Sequence, residues 1–324
     1  MKGVKCIKAE LDLLPKALAI ECLLKRISSN HKEREYLENQ LHRAAAGIRG
    51  EGKMVKKFRE FSYEGNYLPV WDLNMVLGEW AVQIDGLLLT DRCAIVMDSK
   101  NVSGEIHYDL VNEEYYRKDL PSGEILTMDN PVYQLNKHIH FIRKWFKLHN
   151  INLPVTGLIV YTANSCVFHT KPSDALICKT YQMNQYLYRI LRDSPLTAVS
   201  RPLEDIGKLI AANQVPFKLS PLSKFYKIDL RDVKSGVYCN KCFGHGMKRV
   251  KKSWICAACG NKDAGADRLA VQEYFSLIDG ELTNRKFREF SGVSDSDVVK
   301  RILRKYDLDI SGERKTRVYK IKDK

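Results

Sequence analysis

The sequence lacks any long apolar run. No stretch approaches the roughly 20 uncharged apolar residues that cross a bilayer, although 44% of the 324 residues are hydrophobic, as in ordinary globular proteins. The basic N-terminal stretch MKGVKCIKAELDLLPK is interrupted by acidic residues before any apolar segment or cleavage site of a signal peptide. We therefore expect a cytoplasmic protein with no membrane partner.

Several motifs of common enzymes and binding modules are absent as well. There is no Walker loop, no GxGxxG, no serine or cysteine nucleophile motif, and no RRM or KH signature of RNA recognition. The nine cysteines are odd in number, and four of them stand in two CxxC pairs while the rest are single among apolar neighbours. This distribution predicts metal binding and buried thiols, not a disulfide framework.

Positive charge is in excess, and it is concentrated near the C-terminus. The chain has 53 Lys and Arg against 39 Asp and Glu, a formal net charge of +14. Residues 239–324 hold 20 basic and 12 acidic residues, so this last quarter carries +8 of the excess. A basic end of this kind favours a polyanion partner, because neutralising phosphates releases counterions. A solvated basic surface is the alternative.

The stretch QIDGLLLTDRCAIVMDSKNVSG, residues 83–104, reads as two apolar strands joined by a polar turn. A two- or four-residue loop centred on Asp91 and Arg92 would place four polar side chains on one face: Asp85 opposite Asp98, and Gln83 opposite Lys100. Opposed carboxylates at the end of a buried strand repel each other. A hard cation such as Mg²⁺ would compensate, and Lys100 could then orient a metal-bound water. The alternative is a solvent-facing pair of aspartates with a surface ion pair worth about 1 kcal/mol or less.

The segment from Ala46 to about Thr162 resembles the nuclease-related domain known as NERD, a branch of the PD-(D/E)xK nuclease superfamily. The matching features are, in order, AGIRGE, QIDGLLLT, IVMDSKNVSGEI, MDNPVYQLNKH and PVTGLIVYT. They cover about a third of the chain.

The resemblance implies a catalytic centre with Mg²⁺ or Mn²⁺. By this resemblance Asp85 and Asp98 are metal ligands and Lys100 is the catalytic lysine. Three further residues complete the implied site: Glu51 as an accessory acid that helps to hold a metal or its water, and Gln134 and Gln83 as polar residues beside it. Family members often have glutamate where this chain has Asp98, and the shorter aspartate side chain puts the metal distance in doubt. His138, four residues after Gln134, shares its helical face and could touch phosphate, or could be a surface residue.

The order of predicted elements indicates a mixed α/β layer structure. Residues 16–62 read mostly as helix with a break at Gly47, Gly50 and Gly52, strands follow, and a helix over residues 131–149 precedes another strand. The resemblance implies a restriction-endonuclease-like mixed sheet flanked by helices. We predict five segments: residues 1–45, an N-terminal helical extension; 46–180, the nuclease-like domain; 181–236, a helical connector; 237–262, a zinc ribbon; and 263–324, a basic module.

Residues 239–260, CNKCFGHGMKRVKKSWICAACG, have the spacing of a zinc ribbon. Four thiolates are predicted to bind one structural Zn²⁺: Cys239, Cys242, Cys256 and Cys259. His245 is expected at the surface of the turn. The hairpin between the two pairs offers Trp254 and four cations to nucleic acid: Lys248, Arg249, Lys251 and Lys252.

The C-terminal stretch predicts a winged helix-turn-helix. A helix from Asn284 to Phe290 is followed by a Ser-Gly-Val turn and by a second helix after Ser294, and the Ser-x-x-Asp spacing from Ser294 to Asp297 can cap this second helix. The second helix carries four cations that could reach a DNA major groove: Lys300, Arg301, Arg304 and Lys305. SGERKTRVYKI could form the wing. A small helical cap with a solvated basic face is the alternative.

Together these features predict a metal-dependent nuclease that hydrolyses phosphodiester bonds in DNA, with the ribbon and the basic module binding the nucleic acid. Two alternatives stay open: a non-catalytic DNA-binding protein on a nuclease-like scaffold, and an RNA-processing nuclease. The oligomeric state is also open, and a homodimer is compatible with the sequence.

Overall fold

A computed structural model describes residues 8–173, 175–197, 199–215, 220–313 and 316–322. The chain divides into two compact units. One consists of residues Ala45–Phe217, and the other combines Met1–Ala44 with Lys218–Lys324. No helix in the described ranges is long and apolar enough to cross a membrane.

The helices and strands are numbered in chain order. The helices are α1 (Lys16–Arg26), α2 (Arg34–Phe58), α3 (Pro131–Leu148), α4 (Met183–Asp193), α5 (Leu203–Ala212), α6 (Leu222–Phe225), α7 (Ala266–Glu273), α8 (Asn284–Ser291) and α9 (Ser296–Leu303). The strands are β1 (Tyr67–Leu77), β2 (Trp80–Thr90), β3 (Ala94–Lys100), β4 (Gly104–Tyr108), β5 (Tyr115–Lys118), β6 (Ile125–Met128), β7 (Val155–Tyr161), β8 (Cys166–Phe168), β9 (Ile177–Lys179), β10 (Val237–Tyr238), β11 (His245–Val250), β12 (Ser253–Cys256), β13 (Lys262–Asp263), β14 (Leu282–Thr283), β15 (Leu308–Ser311) and β16 (Val318–Ile321).

The unit of residues 45–217 is built on a mixed sheet with strand order β1-β2-β3-β7-β9. Strands β1, β2 and β3 are antiparallel, and β7 and β9 run parallel to β3. In the β2–β3 hairpin Gly86 faces Met97 and Leu89 faces Ala94, which is the register predicted for a four-residue loop. The predicted mixed α/β structure and this register are confirmed. A smaller sheet of order β6-β5-β4-β8 belongs to the same unit.

Both faces of the larger sheet are covered, so its central strands are apolar throughout. Ala94 and Val96 of β3 belong to a core that includes residues of α3 and α5. Ile95 and Met97, which point to the opposite face, join a core with residues of α2 and α4. Asp98 and Lys100 continue the first of these alternating sets, and their side chains therefore lie on the α3 face.

Helices α4 and α5 differ from the predicted connector over residues 181–236. Leu187 and Ile190 of α4 are buried in one core of the sheet, and Ile206 and Ile210 of α5 are buried in the other. The proline-punctuated sequence hid this role, because each helix is short and its apolar face is visible only as a few residues.

Helix α2 runs without a break through Gly47, Gly50 and Gly52, contrary to the predicted interruption. Gly50 is the residue that the packing requires. A Cβ atom there would lie 2.7 Å from Thr162 Oγ1 and 3.0 Å from Asn101 Cβ. The glycine therefore lets α2 approach the end of β3 closely, and Glu51 is the next residue of the helix.

The second unit joins the N-terminal residues to the C-terminal third of the chain, rather than leaving them as an extension. Ile20 and Leu23 of α1 share a core with Phe287 of α8. Arg26 and Glu273 form a fully buried ion pair, with 2.6 Å between Nη2 and Oε2. Breaking such a pair on one side is costly, since it leaves a buried charge without a partner.

The C-terminal module follows the order α7, β14, α8, α9, β15, β16, with an antiparallel sheet of order β14-β16-β15. Helix α8 ends at Gly292, which has a φ of 73°. The cap of α9 is Asp295, whose carboxylate accepts the N–H groups of Asp297 and Val298, and not the predicted Ser294. Part of the predicted wing, residues 314–315, lies outside the described residues.

Candidate functional site

A cleft of about 670 Å³ opens on the α3 face of the larger sheet. Three elements contribute its polar lining: α2, β2, and the N-terminal turns of α3. Five of the residues discussed above line it: Glu51, Gln83, Asp85, Gln134 and His138. Tyr133, Lys137 and the N-cap residue Asn130 line it as well. Asn130 caps this helix, because its side chain accepts the N–H of Val132 at 2.9 Å.

Asp85 is the carboxylate of β2 that reaches this cleft. Its Oδ2 accepts a hydrogen bond from the backbone N–H of Ser99 at 2.7 Å. Burial raises the pKa of Asp85, the Ser99 N–H opposes this rise, and the neighbouring carboxylate of Asp98 adds to it. No described lysine or arginine forms an ion pair with Asp85 within 4.0 Å. Lys100 is near enough for its charge to lower the pKa of Asp85, although it lies beyond ion-pair distance.

Glu51 faces the same cleft from α2. Burial raises the pKa of Glu51, and the charges of Asp85 and then Asp72 raise it further. Asp72 was not predicted: it occupies the position of β1 across from Asp85, between the pairs Trp71–Gly86 and Leu73–Ile84. The aspartates 72, 85 and 98 thus occupy adjacent positions on three neighbouring strands. The polar residue inside the apolar strand YLPVWDLNMVL was the available signal.

Asp98 is buried, with 1% of its surface exposed, and it does not line the cleft. Both of its carboxylate oxygens lie near Nδ1 of His138, at 3.0 and 3.1 Å. His138 is itself buried and is one of the residues that line the cleft. The structure therefore joins His138 to the predicted metal-ligand pair, and Asp98 orients this ring. The spacing of four residues from Gln134 was the signal for it.

Lys100 donates a hydrogen bond from Nζ to Oε1 of Gln134 at 2.5 Å. The predicted pairing of Lys100 with Gln83 is not found. The β2–β3 ladder ends at Gly86 and Met97, and Lys100 pairs with Tyr161 of β7 instead. Gln83 pairs with Asn74 of β1, and its side chain donates to Asp72 at 3.0 Å. The neighbouring strands diverge at this point and open the cleft.

The three predicted metal carboxylates do not form a closed group. Among the described residues, the groups of three or more His, Cys, Asp and Glu with all ligand atoms within 4.8 Å are the four cysteines and a cluster of Glu105, His107 and His169. Glu51, Asp85 and Asp98 are absent from both groups. Mg²⁺ keeps several waters and needs only one or two carboxylates besides substrate phosphate. Of the three predicted ligands, Asp85 and Glu51 line the cleft, and the exposed Asp129 is a further carboxylate of its lining.

The four cysteines of the ribbon meet as the spacing predicts. The Sγ atoms of Cys239 and Cys259 are 3.7 Å apart, and those of Cys242 and Cys256 are 3.4 Å apart. Metal–sulfur bonds of 2.3 Å place tetrahedral ligands about 3.8 Å apart. Against the effect of burial, the backbone N–H groups of residues 242 and 241 lower the pKa of Cys239 to about 6. The cluster can hold a tetrahedral metal ion.

Two residues of the ribbon differ from their predicted places. Trp254 is fully buried, with Arg249 stacked over its ring at 5.3 Å, so the indole is not available to a base. His245 is half-buried on β11 and is not one of the metal-ligand group. Burial and nearby cations, Arg26 first, lower the pKa of His245 to about 4. Three of the predicted cations of the hairpin are exposed: Lys248, Lys251 and Lys252.

The four predicted cations of α9 and its C-terminal end are all exposed. Lys300 pairs with Asp297 at 2.9 Å, and Lys305 pairs with the buried Asp267 at 2.6 Å. Arg301 and Arg304 form no ion pair within 4.0 Å in the described part of the chain. They are therefore the two guanidinium groups of this surface that remain unpaired.

Residues 46–162 match the family model described as NERD, nuclease-related domain. The matched range contains each of the cleft residues named above. No curated protein and no solved structure matches the chain. The match supports a nuclease-related function for this part of the chain and leaves its substrate and metal undefined.

Proposed function

We propose that this protein is a metal-dependent nuclease that hydrolyses phosphodiester bonds in DNA. The observation that carries the proposal is the composition of the cleft, where the charge of Asp85 raises the pKa of Glu51 and neither carboxylate forms an ion pair within 4.0 Å with a described lysine or arginine. The nuclease-related match over residues 46–162 supports the same reaction class. RNA is the alternative substrate, and a cleavage assay must distinguish it from DNA.

Asp85 and Glu51 would hold Mg²⁺ or Mn²⁺ from two sides of the cleft. A bound ion would polarise the phosphate and lower the pKa of a coordinated water. Asp98 is the other predicted ligand. In this arrangement its carboxylate would hold the ring of His138 through Nδ1, and it would bind the metal only after turning toward the cleft. Gln83 would hold Asp72 in place at the rim.

Lys100 would be the catalytic cation beside the scissile phosphate. Its hydrogen bond to Gln134 fixes the direction of a long, otherwise mobile side chain, and preorganised charge is the largest contribution that many active sites make. The exposed Lys137, which lines the cleft, would receive a neighbouring phosphate.

The C-terminal unit would supply affinity for the duplex. The order α7-β14-α8-α9-β15-β16 is that of a winged helix, in which α9 would enter the major groove with Arg301 and Arg304. The four-cysteine cluster would bind a structural Zn²⁺, because four protein thiolates leave no open coordination position. The exposed lysines of its hairpin, 248, 251 and 252, would contact phosphates.

The test combines cleavage with metal binding. Supercoiled, linear and single-stranded DNA and RNA are incubated with the full chain in Mg²⁺, Mn²⁺ or EDTA, and Mn²⁺ binding is measured by calorimetry. We expect metal-dependent DNA cleavage, with both cleavage and Mn²⁺ binding lost in Asp85→Asn. Asp205→Asn, which changes an exposed aspartate of α5, is the matched control and should retain both. DNA binding without cleavage under every condition would instead establish a non-catalytic DNA-binding protein on a nuclease-like scaffold. Cleavage of RNA alone would establish an RNA-processing nuclease.

A further inference from the structure

A second group of metal-type ligands lies in the smaller sheet of residues 45–217, apart from the residues that line the cleft. It consists of Glu105 and His107 on β4 and of His169, directly after β8. One ligand atom from each of the three lies within 4.8 Å of the others. Neither the nuclease chemistry nor the cysteine cluster uses these residues.

The backbone fixes the three side chains on one face of the sheet. Glu105 and His107 are two residues apart on β4 and therefore point the same way. Strand β8 is parallel to β4, with Ile106 opposite Phe168, and the N–H of His169 donates to the carbonyl of Ile106 at 2.9 Å. The segment beyond is held as well, since the hydroxyl of Thr170 bonds both the N–H and the carbonyl of Tyr108.

The spacing of the ligand atoms is close to that around a bound ion. Oε2 of Glu105 lies 3.7 Å from Nε2 of His107 and 3.5 Å from Nε2 of His169. Metal–nitrogen and metal–oxygen bonds of 2.0–2.2 Å place tetrahedral ligands about 3.3–3.6 Å apart. His169 is 46% exposed and can turn its ring toward a common ion without disturbing a core.

His107 has a buried nitrogen that nothing in the described structure satisfies. Its ring is stacked between Tyr116 at 4.8 Å and His169 at 4.4 Å, so its orientation is fixed. Nε2 is inaccessible to solvent and has no hydrogen-bond partner. Buried polar atoms without a partner are rare in native proteins, and a bound ion or water is one of the usual reasons. Nε2 is also the atom that lies nearest to the Glu105 carboxylate.

The neighbouring lysine leaves the carboxylate of Glu105 available to bind a metal ion. Lys118 stands opposite Glu105 in the β4–β5 ladder, on the same face of the sheet. In the described ranges these two residues form no ion pair within 4.0 Å. The carboxylate is therefore not committed to the lysine that lies nearest in the ladder.

We propose that Glu105, His107 and His169 bind a divalent transition-metal ion, with Zn²⁺ as the ion that we would test. Two imidazoles and one carboxylate suit Zn²⁺ and its first-row neighbours, whereas Mg²⁺ and Ca²⁺ prefer oxygen ligands. Three protein ligands leave a further coordination position, and the exposure of His169 places it toward solvent. The ion would tie β4 to the chain after β8.

The experiment counts zinc bound to the full chain. Metal-free protein is titrated with Zn²⁺ against a chromophoric chelator, and the stoichiometry of wild type is compared with those of His169→Ala and Glu105→Gln. We expect each variant to lose one equivalent of zinc per chain, because its affinity at this site should fall by at least about 100-fold. Changes even to outer-shell partners of a metal lower the affinity by 10–100-fold. His42→Ala, which removes an exposed histidine of α2, is the matched control and should lose nothing.

Two further arms make the result decisive. Asp85→Asn, which alters the nuclease cleft, must keep the equivalent that His169→Ala loses. Zinc must also shift the ring nitrogen resonances of His107 and His169 in wild type but not that of His42. Retention of the full stoichiometry in both His169→Ala and Glu105→Gln would overturn the proposal. Both variants should keep the wild-type circular dichroism, because the side chains that they alter are partly exposed.

Discussion

Gly50 offers the sharpest test of how α2 is positioned, because its replacement by alanine should be destabilising in a helix where alanine normally stabilises. Alanine gains about 0.8–1.0 kcal/mol over glycine inside a helix. Here its Cβ would lie 2.7 Å from Thr162 Oγ1 and 3.0 Å from Asn101 Cβ. Thr162 is β-branched and buried, and the Asn101 atom is next to its backbone, so neither can move freely. Overpacking of this kind costs about 1–3 kcal/mol.

We therefore expect Gly50→Ala to lower the free energy of unfolding by up to about 2 kcal/mol once the propensity gain is subtracted. The matched control is Gly52→Ala on the same helix, where a Cβ would meet nothing within 4 Å, and we expect it to be more stable than wild type by up to about 1 kcal/mol. Urea unfolding followed by tryptophan fluorescence reports on this unit, which holds three of the four tryptophans. Equal stabilisation by both substitutions would refute the close approach of α2.

Three further outcomes follow from the site and the C-terminal unit. Because burial raises the pKa of Asp85, the ionisation of its carboxyl opposes folding. Asp85→Asn should therefore raise the free energy of unfolding at pH 7. Urea titrations should show that this gain vanishes below the ordinary aspartate pKa of about 4. Cys256→Ser should remove one zinc per chain and open the ribbon to trypsin, whereas unchanged metal content would contradict the four-cysteine site. Arg301→Ala with Arg304→Ala should weaken DNA binding and reduce its salt dependence by about two phosphate contacts, and an unchanged salt slope would exclude α9 from the interface.

The sequence was most informative where a local pattern dictates structure. The alternation of apolar residues over 83–104 determined both the strands and the β2–β3 register, because side chains in a strand repeat every two residues. The CxxC spacing likewise predicted the four-cysteine group that the structure brings together. The stripe of apolar residues over 131–149 predicted α3 almost to its ends.

Long-range geometry was harder to predict. The partner of Lys100 depends on where β2 and β3 separate, which no local pattern encodes, and so Gln134 replaces Gln83. The burial of Asp98 against His138 depends on how α3 crosses the sheet. The continuity of α2 depends on the close packing of Gly50, whereas glycine taken alone predicts a break. Each of these features is a tertiary contact between segments that are far apart in the sequence.

The most direct test of the nuclease mechanism is single-turnover cleavage of DNA by Lys100→Ala with saturating Mg²⁺ or Mn²⁺. Lys144→Ala, which removes an exposed lysine of α3, is the matched control, because Lys100 is bonded to the cleft residue Gln134 and Lys144 is not. We predict a loss of at least about 100-fold in the cleavage rate of Lys100→Ala, as for the removal of one preorganised electrostatic group, with DNA binding retained and Lys144→Ala unchanged. Cleavage by Lys100→Ala at the wild-type rate would contradict the assignment of this cleft as the catalytic centre.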